Sequence, residues 1–144
     1  MIRQDHSPTV LTVGTFDMFH AGHVELFRAC HLITGHVVVG VNTDRFVSTY
    51  KPKPPVVPLV HRLAVVRACR YVEKVVENDS PDLRTLILNV GPRFVAVGTD
   101  WAGGTRYFDQ TGITQEWLDV NDIVLLYVSR PIDGPSSTRI KAAL

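Results

Sequence analysis

The sequence predicts an α/β domain built on a parallel sheet, and three observations carry that prediction. β-branched apolar runs at residues 9–16, 36–43 and 123–128 are separated by stretches whose apolar residues recur at helical spacing. The first run ends in a turn bearing glycines and histidines that leads directly into a helix. At 144 residues the chain has about the length of one domain, and it can bury a sizeable core without disulfides. The expectation is a single domain over residues 1–144, with about five parallel strands and helices on both faces.

Residues 1–8 read as a short lead, and residues 9–16 as the first strand. Val24, Phe27, Cys30 and Ile33, with Leu26 widening the stripe, predict a helix over 22–33. Gly35 is its stop. Residues 36–43 are almost continuously β-branched, as suits a strand buried on both faces. Tyr50-Lys51-Pro52-Lys53-Pro54-Pro55 is a basic, proline-rich loop. Residues 59–69 read as a second helix running on into residues 70–76. Ser80 and Pro81 are placed to cap and open a helix over 81–90, which Gly91-Pro92 ends. Phe94-Val95-Ala96-Val97 is a short buried strand. It delivers Gly98-Thr99-Asp100-Trp101 at its carboxyl end, where open α/β sheets bind ligands. A helix is expected from about Thr114, then the last core strand at 123–128, then a short helix opened by Ser136, Ser137 and Thr138.

The turn between the first strand and first helix points to phosphate. A helix N-terminus presents unpaired backbone N–H groups and a partial positive charge, so anions bind there. Gly14 lets backbone approach a ligand. His20 and His23 are three residues apart and share one side of a helix start. Two imidazoles aimed at one anion can donate hydrogen bonds, and add charge when protonated. By the same physics, Ser136 to Thr138 offer a second anion site.

Composition excludes several other classes. An apolar fraction of 45% and a charged fraction of 20% are those of an ordinary globular protein. A net charge of +1 gives no reason to expect nucleic acid. Cys30 and Cys69 lie in apolar helical patterns without Cys-x-x-Cys spacing, so buried free thiols are expected. His20 and His23 lack a third zinc ligand of the usual kind in sequence. No signal peptide or membrane-length apolar run is visible, and the expected location is cytoplasmic.

Gly14-Thr15-Phe16-Asp17-x-x-His20-x-Gly22-His23 resembles the signature of the cytidylyltransferase family, within the H-x-G-H nucleotidyltransferase superfamily. His61-Arg62 and Arg70-Tyr71-Val72-Glu73 are similar to a further pair of motifs in its glycerol-3-phosphate type, with Val60 where that type has glutamate. Asp100-Trp101 matches another motif. Arg130, Gly134, Ser136, Ser137, Thr138 and Ile140 match a third signature, with one extra residue before Gly134 and Pro135 in place of isoleucine. The resemblance runs from Gly14 to Ile140, nearly the whole chain.

The resemblance implies a Rossmann-like fold and transfer of a cytidylyl group from CTP to a phosphorylated alcohol, glycerol 3-phosphate first among them. The products would be a CDP-alcohol and pyrophosphate, formed by direct in-line attack. It implies His20, His23, Lys51 and Arg130 as catalytic residues. Gly14, Thr15, Phe16, Asp17, Gly22, Arg70, Asp100, Trp101, Ser136, Ser137 and Thr138 would bind the nucleotide, and Lys53 and Arg62 the acceptor. Arg62 and Arg70, eight residues apart, could share a face of one long helix. Magnesium (Mg2+) is expected with the triphosphate, and Asp17 is its candidate ligand. A homodimer is implied, with neither nucleic acid nor membrane as partner. Two alternatives stand: an adenylyltransferase of the same superfamily, of the ADP-sugar, FAD or coenzyme A precursor type, or a nucleotide-binding module without turnover. Pro55-Val56-Val57-Pro58-Leu59-x-x-Arg62 also resembles the ADP-heptose type.

Overall fold

Five short apolar segments form one parallel sheet in the order β3-β2-β1-β4-β5. The structure is a computed structural model, and it describes residues 7–129 and 136–143. The strands are β1 (Val10–Gly14), β2 (Val37–Asn42), β3 (Lys74–Asn78), β4 (Phe94–Gly98) and β5 (Val124–Val128). The helices are α1 (Ala21–Thr34), α2 (Asp44–Ser48), α3 (Leu59–Ala68), α4 (Arg84–Val90), α5 (Arg106–Thr111), α6 (Gln115–Val120) and α7 (Ser137–Ala143). The chain builds outward from β1 through β2 to β3, then returns to β4 on the other side of β1. That reversal opens a crevice at the carboxyl ends of the strands.

The two-residue period of the strands sorts their side chains onto two cores. Val10, Val37, Val39 and Val41 pack with Phe27 and Cys30 of α1 and Val66 of α3. Leu11, Val38, Val95 and Val97 pack on the opposite face with Leu83, Ile87, Tyr107 and Leu118. Helices therefore cover both faces, as the sequence predicts. Cys30 and Cys69 are free, and burial pushes the Cys30 thiol up to about 12. Among the described residues, no helix is long and apolar enough to cross a membrane.

The structure departs from the sequence reading in four places. The second helix ends at Ala68, because Cys69 turns to an extended conformation, and residues 74–78 form the edge strand β3. Arg62 and Arg70 therefore share no helix face. The fourth helix begins at Arg84, three residues after Pro81, and the Ser80 hydroxyl accepts from Asp82 N in the preceding turn. Residues 44–48 form α2, where the Thr43 hydroxyl accepts from Phe46 N. Residues 106–111 form α5, ahead of the α6 that Thr114 caps.

Phe27 is fully buried beneath the β1–α1 turn, 5.0 Å from the Phe16 ring centroid and 5.8 Å from that of Phe19. Phe27→Ala is expected to destabilise the fold by about 3–5 kcal/mol. Urea unfolding followed by circular dichroism checks this; a loss under about 1 kcal/mol would mean that the turn does not rest on this ring.

Candidate active site

A cleft of about 650 Å³ opens at the carboxyl ends of β1, β2, β3 and β4. Gly14, Thr15, Phe16, Gly22 and His23 form its centre. Asp100 and Trp101 stand on the β4 flank, in a single 3-10 turn after Gly98. Asn42, Tyr50 and Asn78 stand on the β2–β3 flank.

His20 is the N-cap of α1, with extended backbone at φ −144° and ψ 175°. Its Nδ1 accepts from Gly22 N at 3.0 Å, and His23 Nδ1 faces His20 N at 3.4 Å in the reciprocal capping arrangement. Capping thus does two jobs. It satisfies backbone donors at the helix start, and it stacks the two rings with centroids 3.8 Å apart. With Nδ1 accepting, each neutral ring carries its proton on Nε2. Phe16 packs edge-on against His23 at 5.3 Å. Phe16 and Met18 both have positive φ, 53° and 49°, a region that non-glycine residues rarely occupy. Such strain persists where surrounding structure holds it, and it concentrates at functional turns. Gly14 has a local task as well: a Cβ there would lie 3.0 Å from Phe16 Cζ, so its missing side chain makes room for that ring.

Two buried charges hold the turn from behind. Arg62 is 1% exposed. Its Nε donates to Val57 O, its Nη1 to Thr15 O and Asn42 O, and its Nη2 to Asp44 Oδ1, at 2.6–2.8 Å. Those four bonds engage four of its five N–H groups. Arg62, expected to meet the acceptor, is thus a positioning residue within the wall. Asp17 is 4% exposed and accepts from Val56 N at 2.8 Å and Val57 N at 2.9 Å. It also pairs with Lys141 Nζ of α7 at 2.7 Å. Burial works to raise its pKa; the Lys141 hydrogen bond and the Val57 and Val56 N–H groups outweigh that and hold it below the ordinary 3.8.

This arrangement does not suit Asp17 to the magnesium role that the resemblance implied. Both carboxylate oxygens already face donors, and an ammonium stands where a cation would bind. Among the described residues, no group of three or more His, Cys, Asp or Glu could hold a metal ion.

The other sequence-predicted residues divide by position. Lys51 and Lys53 are exposed on the loop that follows Tyr50. Arg70 is exposed and donates to Tyr71 Oη at 2.8 Å, away from the residues that line the cleft. Its position follows from the early end of α3. At the head of α7, the Ser136 hydroxyl accepts from Arg139 N at 3.1 Å, and Thr138 is exposed. Ser137 opens that helix, and the Asp17–Lys141 pair ties the helix to the β1–α1 turn. Arg130 and Gly134 lie outside the described residues.

Several cleft residues were missed in the sequence. Tyr107, Gln110 and Thr111 of α5 line the cleft, so the 102–122 segment helps to form it. Arg106 lies 4.7 Å over the Trp101 ring. Burial raises the Tyr107 pKa, so its phenol stays protonated. Asn42 and Asn78 end neighbouring strands in register. Only the position of Asn42 at the end of a strong strand pattern could have signalled this.

The fold and cleft define a Rossmann-like α/β protein with a histidine-capped helix at the centre of its cleft. Residues 11–143 match the cytidylyltransferase-like family, and the chain belongs to it. The chain is 34% identical over 142 residues to "Bifunctional protein HldE" of Streptomyces coelicolor, covering 98% of this chain but 29% of that protein's length. It is 32% identical over 106 residues to an FAD synthase of Archaeoglobus fulgidus, covering 74% of this chain and 72% of that protein. A probable ethanolamine-phosphate cytidylyltransferase of Encephalitozoon cuniculi is 34% identical over 76 residues, 53% of this chain and 24% of that one. The crystal structure of a lipopolysaccharide core biosynthesis protein from Thermoplasma volcanium shares the fold. Its TM-score is 0.73 at 19% identity, over 87% of this chain and 98% of that one.

Two variants test the buried ties. Arg62→Met leaves three carbonyls without their donor and is expected to destabilise by about 3–5 kcal/mol. A change in urea midpoint within error of wild type would remove Arg62 from this role. For Asp17 the folded pKa lies below the unfolded value of 3.8, so the unfolded chain takes up the proton first as pH falls. Its stabilisation is present above 3.8 and lost as pH falls through the depressed folded value. Asp17→Asn should therefore narrow the stability gap between pH 6 and pH 3 relative to wild type, measured by thermal unfolding across that range (pH values chosen as about two units above and one below the unfolded value). An unchanged gap would show that the ion pair contributes nothing.

Proposed function

We propose that this protein transfers a nucleotidyl group from a nucleoside triphosphate to a phosphorylated alcohol, with CTP as donor and glycerol 3-phosphate as the first acceptor to test. The observation that carries this reading is the stacked His20–His23 pair at the head of α1, with His23 in a cleft flanked on both sides. An acceptor phosphate oxygen attacks the α-phosphorus. A new P–O bond forms, the bond to the bridging oxygen breaks, and pyrophosphate leaves with its electron pair. No protein nucleophile is needed. Catalysis is positioning together with stabilisation of charge on the pentacovalent phosphorus.

The Nε2–H of His23 donates to the phosphate oxygens, and His20, whose Nε2 is buried and which does not line the cleft, stacks on His23 and fixes its ring as a positioning residue. Gly14, Thr15, Phe16, Asp17 and Gly22 shape the turn that receives those oxygens. Lys51, Lys53 and Arg130 neutralise phosphate oxygens, and Ser136 to Thr138 hold the far end of the triphosphate. Asp100 and Trp101 flank the nucleoside. Magnesium arrives on the triphosphate as part of the substrate, because hard oxygen ligands suit it and phosphates supply them. The active form is a homodimer.

A second reading, adenylyl transfer, is favoured by the likeness to an FAD synthase over 72% of that protein. One assay separates the two: pyrophosphate release from CTP, ATP, GTP and UTP with magnesium, with and without glycerol 3-phosphate. CTP-dependent release that needs the acceptor is expected. Release with ATP alone among the four would move the reading to adenylyl transfer, and no release with CTP would overturn cytidylyl transfer to glycerol 3-phosphate. His20→Asn keeps an N-cap acceptor, Oδ1 in place of Nδ1, but removes the imidazole. It is expected to lower kcat about 100-fold or more with little change in melting temperature.

A further inference from the structure

Asn42 and Asn78 end β2 and β3 as register partners. Asn42 is 9% exposed and Asn78 4%. Asn78 Nδ2 donates to Asn42 Oδ1 at 2.9 Å, and Asn42 Nδ2 to Thr15 Oγ1 at 3.3 Å. Thr15 Oγ1 lies 3.4 Å from Tyr50 Oη. All four residues line the cleft. The result is a neutral hydrogen-bonded wall running from the sheet edge to the loop that carries Lys51. Among the described residues, Asn78 Oδ1 accepts no hydrogen bond, and the oxygen stays open to the cleft that Asn78 lines. An amide oxygen facing a cleft accepts from whatever occupies it, and a ligand hydroxyl can replace solvent there.

The charge of this flank narrows the choice of partner. Its lining side chains are amides, hydroxyls and apolar groups; Asp100, the carboxylate in the cleft, stands on the opposite flank. An ammonium group placed beside Asn78 would lose water without gaining a counter-charge. The Tyr50 ring could attract a cation, but Lys51 Nζ already sits 5.8 Å from its centroid. That lysine repels a second cation and attracts a phosphate. A ligand with its phosphate towards Lys51 and its hydroxyls towards Asn78 satisfies both ends.

Resting on the transferase reading, we propose that the Asn42–Asn78 pair is the specificity determinant of the acceptor subsite. It selects a polyhydroxylated phosphate, a polyol or sugar phosphate, over an amino-alcohol phosphate. Asn78 reads an acceptor hydroxyl directly, and Asn42 holds Asn78 in place while passing the register to Thr15.

Equilibrium binding to the full chain tests this independently of turnover. Glycerol 3-phosphate, glucose 1-phosphate, propyl phosphate and ethanolamine phosphate are titrated by ligand-detected NMR with the α,β-methylene analogues of CTP and ATP present. At least one hydroxylated probe is expected to bind about tenfold or more tighter than propyl phosphate and ethanolamine phosphate. Asn78→Ala should bring that ratio close to one, and Asn78→Asp should shift preference towards ethanolamine phosphate. Asn78→Ser, which retains a small hydrogen-bonding group, should keep part of the discrimination and carries the test where the alanine variant does not fold. Equal binding of propyl or ethanolamine phosphate to wild type, no binding of any probe, or an unchanged ratio in the folded variants would overturn the proposal. Pyrophosphate release from CTP and ATP themselves, measured with each probe on the same protein preparations, separates the two readings. Hydroxyl discrimination without release would sink the transferase and leave the subsite; release without discrimination would sink the subsite alone.

Discussion

The buried guanidinium of Arg62 is the interaction on which the cleft depends. It binds the carbonyls of Thr15, Asn42 and Val57 and the carboxylate of Asp44, so one side chain joins the ends of β1 and β2, the start of α2 and the entry to α3. Parallel strands end in carbonyls that the next element must satisfy. A rigid planar fork can do that for several carbonyls at once, where an ammonium on a flexible stem could not hold the same geometry. Burying the charge is unfavourable unless every partner is in place. The four segments must therefore assemble together.

Asp17 complements Arg62 with the opposite charge. It takes the N–H groups of Val56 and Val57 while Arg62 takes the Val57 carbonyl. The segment that closes the lysine-bearing loop is thus clamped from both sides. The Asp17–Lys141 pair then draws α7 to the same turn. The β1–α1 turn and α7, far apart in sequence, meet because buried charge gathers backbone and a lysine around it.

The histidine pair shows how folding and ligand contact can use different atoms of the same side chains. The Nδ1 atoms cap α1, which orders and stacks the rings. The proton of each neutral ring then falls on Nε2, which in His23 is the nitrogen suited to donate to a phosphate oxygen. The positive-φ backbone at Phe16 and Met18 is stabilised by Phe16 packing into the space beside Gly14 and onto Phe27.

Local pattern was enough for much of this molecule. The strong β-branched runs, the helical stripe of α1, its Gly35 stop and the histidine turn are encoded by near neighbours, and each appears where the sequence put it. The family signatures, being contiguous, were legible in the same way. What escaped depended on partners distant in the chain. Lys74-Val75-Val76-Glu77-Asn78 becomes a strand because β2 offers an edge to pair with, and its own pattern is too short to declare that. Arg62 read as a ligand-binding arginine because sequence does not show burial; only the convergence of three carbonyls and one carboxylate makes it part of the wall. Asp17 read as a metal ligand until Lys141 arrived from the other end of the chain. The Asn42–Asn78 wall exists only in the sheet register. By itself the sequence determined four of the five strands, the first helix and the histidine turn between β1 and α1, because those rest on local geometry. Tertiary structure alone decided which charges face the ligand and which hold the walls, because burial and partnership are set by contacts between distant residues.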